Sequence, residues 1–131
     1  MSIIRVNLGA KSYNIEIDAG LLDTAGKKIR SISKAQRAAV ISDSNVDALY
    51  GERLQKALAG SGFKLTRIVF PAGEKSKCLA ELARIYDRLA EAGITRSDLV
   101  VALGGGVTGD LGGFAAATFL RGVDYVPVSY T

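Results

Sequence analysis

Short apolar runs alternate along this chain with segments whose apolar residues recur every three or four positions, and that alternation restricts the fold more than any other feature. Residues 37–42 read as a buried strand ending at Asp43. Val46, Leu49, Tyr50, Leu54, Ala57 and Leu58 then keep helical spacing behind the capping candidates Asp43 and Ser44, until Gly60 and Gly62 stop the helix. Residues 65–70 read as the next strand, broken by Pro71 and Gly73. Leu79, Leu82, Ala83, Tyr86, Leu89 and Ala90 mark a second helix closed by Gly93, and residues 99–103 form a third buried strand. Leu111, Phe114, Ala115, Thr118 and Phe119 give a third helix, and residues 125–128 a fourth strand. This succession predicts an α/β fold: a mostly parallel sheet with flanking helices on both faces, binding ligands beyond the carboxyl ends of its strands.

Ahead of these units, Ile4, Val6 and Leu8 alternate with polar residues, Gly9 to Ser12 supply a turn, and Tyr13, Ile15 and Ile17 alternate again. That pattern predicts an N-terminal antiparallel hairpin, and residues 21–33 are expected to carry one helix. A chain of 131 residues fits one domain, burying about 65–70% of its unfolded surface. Its 48% hydrophobic and 23% charged residues are those of a soluble globular protein. No apolar run approaches the roughly 20 residues of a membrane span, and the N-terminus lacks a signal peptide's apolar core, so no membrane contact and a cytoplasmic location are expected.

One cysteine, Cys78, cannot make an internal disulfide, and the chain has no histidine. The usual material for a zinc site or for a Ser/His or Cys/His nucleophile pair is therefore missing. The net charge of +4 is spread among acidic residues, which argues against a nucleic-acid face and for a mild attraction toward phosphate-bearing small molecules.

The strongest local motif runs from Leu103 through Gly104, Gly105, Gly106, Val107, Thr108 and Gly109 to Asp110. It contains Gly-x-Gly-x-x-Gly directly after a strand and at the start of a helix. Glycines let the backbone approach a pyrophosphate without a clashing Cβ, and the helix's free N–H groups and positive dipole end favour the anion. A tight turn without a ligand is the plainer alternative. Gly112, Gly113, Ala116 and Ala117 let this helix sit close to the sheet or to another layer.

A dinucleotide fingerprint looks for an acid about 20 residues beyond the first glycine to hold the ribose. Asp124 stands there, but Asp43, followed by Ser44 and Asn45 at an earlier strand end, is the better placed candidate; helix capping alone is its alternative. Glu74 and Lys77, after Pro71-Ala72-Gly73, occupy a third strand end. Glu74 suits a ribose or amide donor and Lys77 a phosphate, against the alternative of solvated loop charges. One crevice lined by all three strand ends is the expectation.

The run from Leu103 to Val123, together with residues 71–78 and 41–47, resembles the 3-dehydroquinate synthase family across essentially the whole chain. The resemblance implies a Rossmann-like NAD-binding N-terminal domain over residues 1–131, followed in the family by a helical C-terminal domain that supplies divalent-metal ligands, zinc or cobalt, and most substrate contacts. The implied activity is a phosphate-eliminating carbon–oxygen lyase. It converts 3-deoxy-D-arabino-heptulosonate 7-phosphate to 3-dehydroquinate in the shikimate pathway of aromatic amino-acid biosynthesis. A cytoplasmic homodimer is implied for the full-length enzyme.

Carried over by position, Asp43 and Asn45 match the adenosine-ribose region of the family, and Gly73, Glu74 and Lys77 its second nucleotide loop. Gly105, Gly106, Val107 and Asp110 match the pyrophosphate and nicotinamide-side turn, and Thr131 the second threonine of a nicotinamide-end run. Arg121 matches an arginine that contacts substrate; its fixed charge suits phosphate or carboxylate, and capping of helix-end carbonyls is its alternative. The sequence departs from the family at Pro127-Val128-Ser129-Tyr130-Thr131, where a Gln-Val-Pro-Thr-Thr run is usual. The family's downstream metal ligands are absent, so no complete catalytic set is expected here and the chain alone is expected to bind NAD at most. Three alternatives stay open: another sugar-phosphate cyclase, a metal-dependent alcohol or glycerol dehydrogenase, and an inert, non-enzymatic fold module. The dehydrogenases usually continue the glycine turn into Ser-x-x-Asp-x-Ala-Lys, unlike residues 107–113 here.

Overall fold

The computed structural model describes the backbone of residues 2–8, 11–17 and 19–128, and the side chains of residues 22–128. Four strands form its parallel core: β3 (Arg37–Asp43), β4 (Lys64–Phe70), β5 (Leu99–Leu103) and β6 (Asp124–Val128). Strands β1 (Ser2–Leu8) and β2 (Lys11–Ile17) pair antiparallel, Ser2 opposite Ile17 and Leu8 opposite Lys11, and the turn residues Gly9 and Ala10 lie outside the described residues. β1 joins the core through Asn7 opposite Tyr125, giving the order β2-β1-β6-β5-β3-β4.

Side-chain alternation along β3 and β5 divides the core in two. Ala38, Val40, Leu99, Val101 and Leu103 face one side, packed against Leu22, Ile29, Val46, Leu54 and Leu58. Ala39, Ile41 and Val100 face the other, against Leu82, Ile85, Leu89, Leu111 and Ala115. The first side is covered by α1 (Ala25–Ile32) and α3 (Glu52–Gly60), the second by α4 (Leu79–Glu91) and α5 (Gly106–Thr118). Burial on both faces is what makes β5 apolar at all five positions.

The segment expected as one helix over residues 21–33 divides into a 3-10 turn (Ala19–Thr24) and α1. The helix expected after Asp43 is continuous in path but not in pitch: α2 (Ser44–Val46) widens through a π-turn (Asp47–Gly51) before α3. One extra residue rotates the stripe, so Leu49, which fits the helical spacing, is 69% exposed. Asp47 in that turn is held by Arg67 of β4, Nε to Oδ1 at 3.1 Å.

Candidate functional site

β4, β3 and β5 are neighbours in register, Asp43 opposite Phe70 and Ser42 opposite Leu103, so their carboxyl ends share one edge of the sheet. The Ser42 hydroxyl donates to the Leu103 carbonyl at 2.8 Å, tying the end of β3 to the residue that enters the glycine turn. The helices leaving these ends diverge, α2 and α3 to one face and α5 to the other. Their divergence makes the space beyond the ends of β3 and β5 the switch point of the sheet, where sheets of this kind bind ligands.

The glycine turn borders this space. Gly104 has φ +152°, and a Cβ there would lie 2.8 Å from the Thr108 hydroxyl oxygen, so both conformation and space require glycine. Gly105 caps α5 without any side-chain hydrogen bond, and a Cβ on Gly105 or Gly106 would meet nothing within 4 Å. No side chain would crowd the first turn at the positive end of this 13-residue helix, and its N–H groups receive no side-chain cap. Thr108 is buried just behind, its hydroxyl without a partner among the described residues. Val107 packs into the core, and Asp110 is exposed one turn along.

Asp43 caps α2, its Oδ1 accepting from the Val46 N–H at 2.8 Å, and Asn45 is exposed in the turn it caps. The capping alternative for Asp43 is thus realised, and it leaves Oδ2 without a hydrogen bond among the described residues. Beyond β4, Gly73 at φ +116° opens a 3-10 turn (Glu74–Ser76). The Ser44 hydroxyl, accepting from the Ala72 N–H at 3.0 Å, ties this loop to the start of α2. Lys77 Nζ meets Asp110 Oδ2 at 2.7 Å, joining the loop to α5. That hydrogen bond and the Asp110 charge hold the Lys77 ammonium above its ordinary value.

Asp43, Asn45, Gly73, Glu74, Lys77, Gly105, Gly106, Val107 and Asp110 therefore lie along one edge of the sheet, with Lys77 and Asp110 in contact. Thr131 lies outside the described residues. Arg121 is not with the others: α5, about 20 Å long at 1.5 Å per residue, carries it to the opposite end of the sheet. There it lines a cavity of about 620 Å³ with Arg96, Ser97, Asp124 and Tyr125, at the amino ends of β5 and β6. Arg121 and Leu120 both have positive φ, 67° and 51°, a conformation that costs non-glycine residues of order 1–3 kcal/mol. Asp124, the acid spaced like a ribose ligand, is at this far end too, and burial raises its carboxyl above the ordinary value.

Sequence reasoning gave no role to Thr108 or Tyr125, and it did not foresee that Ser44 would tie the loop after β4 to α2. The Tyr125 hydroxyl donates to the Gly109 carbonyl at 3.0 Å, and its ring lies 3.4 Å from where a Cβ on Gly113 would stand. Burial, then the Asp110 charge, pushes the phenol up to about 12. The signal for this contact was the Gly112-Gly113 pair, which leaves room on α5 for an aromatic ring.

A parallel α/β sheet with a glycine turn at the switch between opposite helix exits defines a dinucleotide-binding type of domain. Residues 67–131 match the family model for the 3-dehydroquinate synthase N-terminal region. The 3-dehydroquinate synthase of Clostridium acetobutylicum is 48% identical over 98% of this chain and 36% of its own length. That of Pelobacter propionicus is 48% identical over 100% of this chain and 36% of its own. Among solved structures, a 2-deoxy-scyllo-inosose synthase superposes with TM-score 0.78 at 24% identity, over 94% of this chain and 34% of that one. A 2-epi-5-epi-valiolone synthase from Streptomyces hygroscopicus, solved with NAD+ and Zn2+ bound, gives TM-score 0.71 at 30% identity, over 89% and 32%. The chain belongs with the N-terminal domains of the 3-dehydroquinate synthase-like sugar-phosphate cyclases, and spans about a third of the length of the curated relatives it matches.

Proposed function

We propose that this chain is the nucleotide-holding part of a 3-dehydroquinate synthase and binds NAD at the switch point between β3 and β5. The observation that carries the reading is the open space over Gly105 and Gly106 at the start of α5, backed by the orphaned Thr108 hydroxyl. In this reading the first-turn N–H groups hold the pyrophosphate, Asp43 and Asn45 hold the adenosine ribose, and Glu74 and Lys77 contact the nucleotide from the second loop. Asp110 holds the Lys77 ammonium and, with Val107, is assigned the nicotinamide side; the role given to Thr131 rests on the resemblance alone. NAD, once bound, supplies reversible hydride transfer to the conversion of 3-deoxy-D-arabino-heptulosonate 7-phosphate into 3-dehydroquinate and phosphate.

The described residues do not fit a divalent metal: none of them form a group of three potential metal-binding side chains, and no step is assigned to a metal here. The Zn2+ and Co2+ of the solved relatives are held in chains of which this one covers about a third. The substrate contact assigned to Arg121 rests on the resemblance alone, since within this chain Arg121 stands at the end of the sheet opposite the glycine turn; dimer formation and cytoplasmic location belong to the same proposal. Among the described residues no helix is long and apolar enough to cross a membrane. The 48% identity to 3-dehydroquinate synthases, against 30% to the valiolone synthase, favours the dehydroquinate reaction over its sister cyclisations. A glycerol dehydrogenase is more distant still, at TM-score 0.60 and 20% identity.

The test is a thermal melt and calorimetric titration of the chain with NAD, repeated on Gly106→Val. A ligand bound only by the folded state at 100 times its Kd adds about 2.7 kcal/mol of stability. The parent is expected to show that gain and the variant, whose added side chain points into open space, to fold without it. No NAD-dependent gain in the parent would overturn nucleotide binding by this chain and leave the inert-module reading standing.

A further inference from the structure

β4 ends the sheet, and its outer edge is the side away from β3. The Lys64 N–H donates to the Gln36 carbonyl at 2.9 Å on the β3 side, so the even-numbered residues of β4 point their N–H and C=O groups inward. Those of Leu65, Arg67 and Val69 point outward, the template on which another strand adds. Two arginines of α4 occupy that template. Arg84 donates to the Val69 carbonyl at 2.5 Å and Arg88 to the Arg67 carbonyl at 3.4 Å. Arg84 is itself held by Glu81, 2.6 Å from the carboxylate, and Arg88 stands 3.8 Å from Glu91. One helical turn separates the two arginines and one strand repeat separates the two carbonyls, so α4 is matched in spacing to the edge it covers.

We infer that Arg84 and Arg88 close the outer edge of β4 against strand addition by a second copy of this chain. Each takes an acceptor that an incoming strand would need, and each sets a cation beside the edge. The groups that would otherwise pair are main-chain atoms, so the interaction they block needs no particular sequence in the partner, and an identical chain at high local concentration is the partner always present.

The experiment compares sedimentation velocity, across a concentration series, of the parent chain, Arg84→Met with Arg88→Met, and a charge-matched control, Lys27→Met with Lys56→Met. Methionine keeps length and helix propensity while removing the donors. The arginine double variant is expected to self-associate at concentrations at least tenfold below the parent, and the outward amides of Leu65, Arg67 and Val69 to gain hydrogen-exchange protection in the associated form. Arg84→Lys with Arg88→Lys, which restores donors and charge, is expected to behave as the parent. Parent-like sedimentation of the folded methionine pair, equal association of the lysine control, or association without protection of those three amides would each overturn the inference. Should the pair not fold, Arg84→Met alone carries the comparison, with association above the parent expected and parent-like behaviour overturning it.

Discussion

A methyl group on Gly104 would stand 2.8 Å from the Thr108 hydroxyl and 3.0 Å from its Cβ, on a backbone at φ +152°. Neither obstacle applies at Gly105, which has φ −91° and open space where a Cβ would go. Gly104→Ala is therefore expected to destabilise the fold by about 1–3 kcal/mol, and Gly105→Ala to stay within about 0.5 kcal/mol of the parent; urea melts of both separate strain from ligand contact at this turn. Asp98 shows the same dependence for a charge. It is 3% exposed and accepts from the Thr95 N–H at 2.8 Å, the Thr95 hydroxyl at 2.9 Å and the Arg37 N–H at 3.0 Å. Burial works against the charged carboxylate, but these hydrogen bonds together outweigh it and hold the carboxyl below its ordinary value. A lowered folded-state pKa stabilises fully above the unfolded value near 3.8 and is lost as pH falls through the folded one. Asp98→Asn should cost about 1–3 kcal/mol at pH 7, with the deficit narrowing below pH ~4; an equal deficit at pH 3 and pH 7 would contradict the assignment.

At the scale of elements, α5 is set by what its glycines admit. A Cβ on Gly112 would fall 3.0 Å from the Ala102 Cβ of β5, both fixed by backbone, and the Tyr125 ring fills the space beside it. Gly112→Val is expected to lift the helix and cost about 1–3 kcal/mol, whereas Gly60→Ala at the end of α3, where nothing lies within 4 Å, should gain up to about 1 kcal/mol of helix propensity. Paired denaturation curves check both signs. α4 and α5 meet at their far ends, where the Tyr86 and Phe119 rings stack at 6.2 Å and the Tyr86 and Thr118 hydroxyls share a hydrogen bond. At their near ends they leave a cavity of about 390 Å³ lined by Lys77, Cys78, Leu79, Leu82, Asp110, Leu111 and Phe114. Leu79, 83% exposed, and Phe114, 54% exposed, keep helical spacing yet open on that cavity and solvent. Periodicity marks an apolar stripe; it does not say whether a neighbour covers its whole width.

The whole molecule resolves what neither scale settles. Alternating strand and helix periods, the glycine run, and the acids and lysine at strand ends were legible in the sequence, because backbone sterics and side-chain period act within a few residues of chain. So was the placement of Asp43, Glu74 and the Gly104 turn at carboxyl ends, which parallel pairing then brings to one edge. The order in which those ends sit was not legible. β5 inserts beside β3 rather than beside β4, and this puts the opposite helix exits next to each other, with the switch point of the sheet between Asp43 and Gly104. Arg121 is only a short stretch of chain from the glycine turn, yet a straight helix carries it to the other end of the sheet, beside Arg96 and Asp124. The order of strands and helices, the turn chemistry and the family resemblance were in the residues, but the division of residues 19–32 into a 3-10 turn and α1 and the π-turn at Asp47–Gly51 were not. Which strand ends are neighbours, which apolar faces are covered and which charges share a cavity depend on packing between segments far apart in the chain, so they emerge only when the fold is assembled.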